Sequence, residues 1–564
     1  MKELSRSTFD FKTLIENGCV YVDKTDFLYR LARSEVDARY FISRPRRFGK
    51  SLMLSTLKYL FSGRRDLFRG LKIEQSDYDF GKSYPVISLD MAAAQANSAA
   101  ALEQDLRSRI LDDARENGVE LRGSDYPSAK MLFGAYLRAM ADKSEQGKVV
   151  VLIDEYDAPV TRLLDVKEEC LRVQEAMHDF YIQLKSHDSR IRFLMLTGVS
   201  KFAKLSVFSG LNNLVDLSDL PEFASMLGYT REEMDGQLRE HVEAFAQKRG
   251  LDYAGIQAVL LDWYDSYRFS PQSDVRVCNP VSLAYALIEQ DVKNYWEKTG
   301  NSKMVHRLLA ERIWLPEDLS AMTIRTDDLD VCPIDSWMKP AFLYQCGYLT
   351  IKERKEPDKL VLGIPNREIE HSLKHGFMSY LLGENADELL DNAKNARVKL
   401  ASGVRVDAII RETLRSAFEL LPYDWRCESE AAAKRMFLFF CRFLGASIIG
   451  ERHTAIGRAD AILELQRAIY ILEFKYDGTA AAALQQIKDR RYADSYLEDS
   501  RKIYLVGVNY SSVRRTIDDP VIEVWDRGCG QDPAQNSSGS AQPKVRDGAL
   551  SAEVDGSALG DGKR

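Results

Sequence analysis

Hydrophobic positions in the first 220 residues fall into short runs separated by longer stretches of helical spacing. Runs at 40–43, 85–89, 149–153 and 193–196 have strand length, and VVVLI at 149–153 has no polar position at all. An uninterrupted apolar run suits a strand covered on both faces of a parallel sheet. Strands alternating with helical stretches over 38–217 predict an α/β layer with helices on the sheet faces. From Thr230 the spacing becomes helical. TREE at 230–233 has the form of a capping box, and residues 220–380 read as mostly helical, punctuated by WYDSYRF at 263–269 and by Asn279-Pro280. The polar stretch 384–396 reads as a linker-like helix or loop.

A further unit starts near residue 402. MFLFFC at 436–441 is the apolar face of a helix, and AIL at 461–463, AIYIL at 468–472 and IYLVGV at 503–508 read as strands. Beyond Trp525 large apolar residues almost vanish, so 529–564 is expected to be disordered. No internal repeat is visible.

The first apolar run leads into RPRRFGKS at 44–51, followed by a helical stretch. Backbone N–H groups at a helix start, together with its dipole, favour an anion there. Gly49 lets the backbone come close to a phosphate, Lys50 reaches its outer oxygens, and the Ser51 hydroxyl suits Mg²⁺. Arg44 stands where the usual G-x-x-x-x-G-K-[ST] pattern has its first glycine. The run at 149–153 ends in Asp154-Glu155. Carboxylates at the C-terminal end of a buried strand lie where open α/β sheets bind ligands. Asp154 is expected to hold Mg²⁺ and Glu155 to activate the attacking water. Thr197, after the fourth run, is placed to sense the terminal phosphate or that water. The candidate nucleotide site is therefore Arg47, Phe48, Gly49, Lys50, Ser51, Asp154, Glu155 and Thr197.

A second constellation lies at 430–492. GRAD at 457–460 precedes a strand, and EFK at 473–475 closes the next. Alternation puts Glu473 and Lys475 on one face and Phe474 on the other. Asp460 and Glu473 are expected to converge on one divalent ion, whose hard-oxygen preference suits Mg²⁺ or Mn²⁺. Lys475 would orient water or stabilise charge developing on a phosphodiester. Glu430 opens the preceding helix, Gln486 lies on the following one, and KDRRY at 488–492 offers backbone-binding charge.

A chain of 564 residues exceeds one core, so two to four domains are expected. With 29% charged and 45% hydrophobic residues it reads as globular, and a net charge of −7 argues against a surface that coats nucleic acid indiscriminately. The eight cysteines form no C-x-x-C pair, which suits a reducing compartment. Neither a signal-peptide core nor a membrane-length apolar run is evident, so a cytoplasmic protein is expected. His371 and His375, at i,i+4, lack an evident third ligand and are read as a solvated face. Arg64-Arg65 is read as a solvated turn, and Trp425 and Trp525 as packing residues. Arg268 is read as structural, and Arg190 and Arg192 are the arginine-finger candidates.

The chain resembles a family of AAA-ATPase-like proteins carrying a C-terminal PD-(D/E)xK nuclease domain. The resemblance rests on YVDKT (21–25), RPRRFGKS (44–51), LIDEYD (152–157), LTGVSKF (196–202), FSGLNN (208–213), WYDSYRF (263–269), GRAD (457–460) and EFK (473–475). It implies a P-loop parallel sheet with a helical lid and helical middle region, followed by an α/β nuclease domain. Expected boundaries are 1–219 for the core, 220–400 for the lid and linking region, and 401–528 for the nuclease-like domain. It further implies ATP rather than GTP, an ordinary place in the family for Arg44, and a nuclease core of Asp460, Glu473 and Lys475 supported by Glu430 and Gln486. Two departures are Ser266, where the family usually has glycine, and Lys434, where it often has histidine or another polar residue. The expected function is ATP hydrolysis coupled to Mg²⁺-dependent cleavage of nucleic acid, with a homo-oligomer possible. The alternative is an ATP-dependent conformational switch whose nuclease-like domain binds nucleic acid or a protein without cutting.

Overall fold

The computed structural model describes residues 1–6, 8–34, 38–164, 166–201, 213–296, 305, 319–329, 340–382, 391–392, 395–400, 406–419, 427, 429–443 and 459–525. Phe202, 208–212, Trp425, Gly457, Arg458, the tail 529–564 and most of 384–396 lie outside the described residues.

The apolar runs form strands. β1 (Arg39–Ser43), β2 (Val86–Asp90), β3 (Val149–Asp154), β4 (Ile191–Gly198) and β5 (Val215–Asp216) make one sheet in the order β2-β3-β4-β1-β5. All its pairings are parallel. Every residue of β1 and β4 is buried, and so is β3 apart from Asp154. Burial on both faces explains why these runs lack alternation. Helices Lys50–Phe61, Ala99–Glu116, Ala129–Asp142 and Lys167–Ser186 cover the sheet. Ser98 and Ser128 cap two of them by accepting from Ala101 and Met131 N–H, and Phe133 stacks on Phe180 at 4.4 Å. The order sets β4 between β1 and β3. The loop leaving β1, the acidic end of β3 and Thr197 of β4 thus meet along one edge of the sheet.

The middle region opens with the capping box at Thr230, where the Thr230 hydroxyl and the Glu233 carboxylate each accept the other's backbone N–H. Helices Arg239–Arg249, Tyr253–Tyr264 and Pro280–Glu289 build a second core that also receives Leu4 and Val22 from the N-terminal segment. The helical pattern did not announce an antiparallel sheet of β6 (Met322–Arg325), β7 (Thr350–Glu356) and β8 (Lys359–Gly363), ordered β6-β8-β7. Helix Arg367–Leu382 follows.

In the C-terminal unit β9 (Ala461–Glu464) pairs antiparallel with β10 (Ala468–Tyr476), which pairs parallel with β11 (Lys502–Ser511). β12 (Thr516–Ile517) and β13 (Val521–Val524) add to β11. EFK therefore lies on a central strand. Helix Ala480–Asp489 connects β10 to β11 and packs so closely that a Cβ on Gly507 would stand 2.1 Å from Ala480 O. Among the described residues no helix is long and apolar enough to cross a membrane.

Candidate active sites

The first site begins at the end of β1. Gly49 adopts φ +89°, a conformation only glycine takes without strain, and caps the helix Lys50–Phe61 with no side-chain hydrogen bond to the helix start. A helix start without a side-chain cap leaves its first-turn N–H groups for an anion. Lys50 Nζ donates to the carbonyls of Arg44 (2.9 Å) and Pro45 (3.1 Å) and lies 3.2 Å from Glu155 Oε1. Ser51 Oγ donates to Asp154 Oδ2 at 2.5 Å, while the Thr197 hydroxyl and the Glu155 N–H donate to Asp154 Oδ1. Lys50, Ser51, Asp154, Glu155 and Thr197 come together here.

Arg47 and Phe48 turn the other way. Arg47 Nη1 donates to Tyr295 O at 2.8 Å, and Phe48 packs edge-on against Tyr267 and Phe269. Any contact they make with a phosphate comes from their backbone. Arg44 is 1% exposed. Its guanidinium lies over the Phe269 ring and donates to the carbonyls of Ser43, Ser218 and Phe223, bracing the loop against the chain after β5. Burial lowers its pKa to about 10, still far above neutrality.

Two acids escaped the reading of the sequence. Asp157 is buried and accepts from Val199 N–H, Ser200 N–H and Ser200 Oγ, pinning the turn after Thr197. Desolvation, then the nearby Glu155, raises its pKa. Gly198 is needed in this turn because a Cβ would stand 2.5 Å from the Tyr156 ring. Asp90, one residue past the expected end of its run, is in register with Asp154. Burial, opposed by the Ala92 N–H, and the charges of Asp154 and Glu155 raise its pKa. The acidic position after a buried run was the available signal.

The middle region closes over this edge. Glu368, on helix Arg367–Leu382, is fully buried and accepts from Tyr295 N–H at 2.8 Å and Trp296 N–H at 3.0 Å. Desolvation raises its pKa to about 7, with Arg47 among the groups opposing that rise. A cavity lies beside the phosphate loop, lined by Tyr21, Arg47, Gly49, Tyr229, Val281 and Tyr285 among others. Arg268 pairs with Asp274 and donates to the carbonyls of Ser270 and Pro271, so its role is structural. Ser266 has φ +79°, which explains why glycine suits that position. Arg192 is buried against the Ala32 and Ser34 carbonyls, and Arg190 pairs with Asp142. Both flank the start of β4, the end away from Thr197.

The second site sits on β10. Asp460 N–H donates to Glu473 Oε2 at 3.3 Å, and Phe474 N–H donates to Asp460 Oδ2 at 2.9 Å. Gln486 links Glu473 to Lys475, donating to the carboxylate and accepting from the ammonium. Phe474 faces away and stacks on Phe437 at 5.0 Å. Glu473 is buried, and desolvation followed by the charge of Asp460 raises its pKa to about 7. Glu430 is exposed at the start of helix Glu430–Phe443. The helix instead contributes Lys434, whose Nζ lies 2.5 Å from Asp460 Oδ1. Two crowded carboxylates with hard oxygen donors fit a divalent cation, and the ammonium is the cation they hold here. Among the described residues no group of three or more His, Cys, Asp or Glu side chains forms a metal cluster.

The family of the chain follows from this pairing of a phosphate loop with a carboxylate-bearing α/β unit. Residues 7–208 match the family model described as Predicted AAA-ATPase. Residues 428–519 match that of the PD-(D/E)XK nuclease superfamily. The chain is also 31% identical over 514 residues to an uncharacterised protein in the vnfD 5′ region of Azotobacter chroococcum mcd 1, covering 89% of this chain and 95% of that relative. It belongs to the family of AAA-ATPase-like proteins with a C-terminal PD-(D/E)XK nuclease superfamily domain.

Proposed function

We propose that the protein binds and hydrolyses ATP at the edge formed by Lys50, Ser51, Asp154, Glu155 and Thr197, and that this activity is coupled to a Mg²⁺-dependent nuclease site at Asp460, Glu473 and Lys475. The observation that carries the first half is the convergence of the Ser51 hydroxyl and Thr197 hydroxyl on Asp154, with Lys50 beside Glu155. Ser51 and Asp154 would hold Mg²⁺, which when bound neutralises charge on the outer phosphates. The open helix start binds phosphate oxygens. Lys50 then exchanges its ion pair with Glu155 for the phosphate, which frees Glu155 to accept a proton from the attacking water. Thr197 orients that water or the terminal phosphate. The mostly apolar cavity beside Gly49 suits a nucleobase, its tyrosines offering stacking faces.

At the second site Asp460 and Glu473 would hold the divalent ion, which when bound lowers the pKa of water and clamps a phosphodiester. Lys475, held by Gln486, stabilises charge developing on the phosphate. Coupling runs through the lid, because Arg47 leaves the phosphate loop for the Tyr295 carbonyl and Glu368 anchors that same segment. One observation favours the second reading, a switch that grips nucleic acid without cutting: Asp460 already holds a cation in Lys434.

The test is cleavage of single- and double-stranded DNA and RNA in Mg²⁺ or Mn²⁺, with and without ATP. Metal-dependent cutting lost in Asp460→Ala supports the nuclease reading. ATP turnover with no cutting of any substrate supports the switch.

A further inference from the structure

Asp460 has both carboxylate oxygens engaged. Oδ2 accepts the Phe474 backbone N–H, an interaction fixed by the strand. Oδ1 is held by Lys434 Nζ at 2.5 Å. The other lysine of the site, Lys475, is turned onto the Gln486 amide. Lys434 is thus the only ammonium paired with Asp460 among the described residues, and it occupies the oxygen that the backbone leaves available. A divalent ion in contact with Oδ1 would meet this ammonium at close range, where like charges repel strongly. The Lys434 side chain is 40% exposed and its stem is flexible, so it can leave without disturbing the core. Glu430 lies one turn toward the helix start, at i,i+4, and its exposed carboxylate is in the favourable order for pairing with a lysine.

We infer that Lys434 is a built-in counter-ion of the nuclease-like site: it competes with the divalent cation for Asp460 Oδ1, and metal entry requires its release toward Glu430. The inference rests on the reading of Asp460 and Glu473 as metal ligands. It makes the site self-neutralised at rest, with a metal affinity set below what its two carboxylates alone would give.

The experiment is calorimetric titration of Mn²⁺ into the full-length protein without nucleotide. Wild type is compared with Lys434→Met, Lys434→Gln and Asp460→Asn, and the Asp460→Asn isotherm is subtracted to remove ion taken up at Asp154. Both Lys434 variants are expected to bind about tenfold more tightly than wild type, a difference near 1.4 kcal/mol. Wild-type affinity in both Lys434 variants, with the Asp460-dependent binding lost in Asp460→Asn, overturns the counter-ion inference and leaves the metal site standing. Binding unchanged in Asp460→Asn overturns the metal-site reading itself. A second measurement needs no variant: acylation of Lys434 in wild type, read by mass spectrometry, is expected to rise at saturating Mn²⁺. Labelling that Mn²⁺ does not change overturns the release.

Discussion

Ser51 Oγ donates to Asp154 Oδ2 at 2.5 Å although 103 residues separate them in the chain. The contact exists because β4 lies between β1 and β3 and brings their C-terminal ends to one edge. The Asp154 carboxylate is then oriented by three donors, Ser51, Thr197 and the Glu155 N–H.

Lys50 and Glu155 are paired at 3.2 Å yet carry separable roles. Glu155→Gln is expected to retain ATP binding and lose about 100-fold or more in turnover, the usual scale for a lost general base. Lys50→Ala is expected to weaken ATP binding itself. Calorimetry with ATP beside a phosphate-release assay separates the two, and Glu155→Gln turning over at the wild-type rate would remove Glu155 from the chemistry.

Arg44 occupies the place of a loop glycine but acts as a brace. Arg44→Gly is expected to lower stability by about 3 kcal/mol, because buried carbonyls lose their charged donor. A melting temperature equal to wild type would mean that the brace carries no weight.

Ser266 holds a left-handed backbone angle that costs a non-glycine residue energy. Ser266→Gly is expected to stabilise the fold by up to about 1 kcal/mol, offset in part by the freer unfolded chain. Chemical denaturation measures this, and clear destabilisation would contradict it.

Glu368 gives the fold a pH dependence of known sign. Its pKa rises from an ordinary 4.5 to about 7 on folding, so between those values the folded chain binds the extra proton. Stability from this group therefore falls as pH rises from about 4.5 to 7, and the penalty persists above. In Glu368→Gln the fall in unfolding free energy across this window, read by chemical denaturation, should be shallower than in wild type by on the order of 3 kcal/mol at most. Identical slopes would show that Glu368 does not carry the proton.

The parallel sheet was legible because strands buried on both faces leave apolar runs with no other ready explanation. Asp154 stood directly after such a run, and Lys50 and Ser51 were read from the Gly-Lys-Ser motif at the helix start that follows the first one. β7 was not, because TIKERKE is mostly exposed and shows neither an apolar run nor alternation. The reach of Arg44 to carbonyls 174 and 179 residues away depends on a loop path that no local pattern encodes. Lys434 was visible as an unusual residue, but only the packing of its helix on β10 places its ammonium on Asp460. Asp90 was passed over because a strand's polar last residue resembles the turn that follows it.

The measurement that bears most directly on the two-site account follows ATP hydrolysis and nucleic-acid cleavage in parallel, in Mg²⁺, for wild type, Glu155→Gln and Asp460→Ala. The expected result is both activities in wild type, loss of phosphate release in Glu155→Gln, and loss of cutting with intact phosphate release in Asp460→Ala. Cleavage that survives Asp460→Ala, or phosphate release that survives Glu155→Gln, would contradict it.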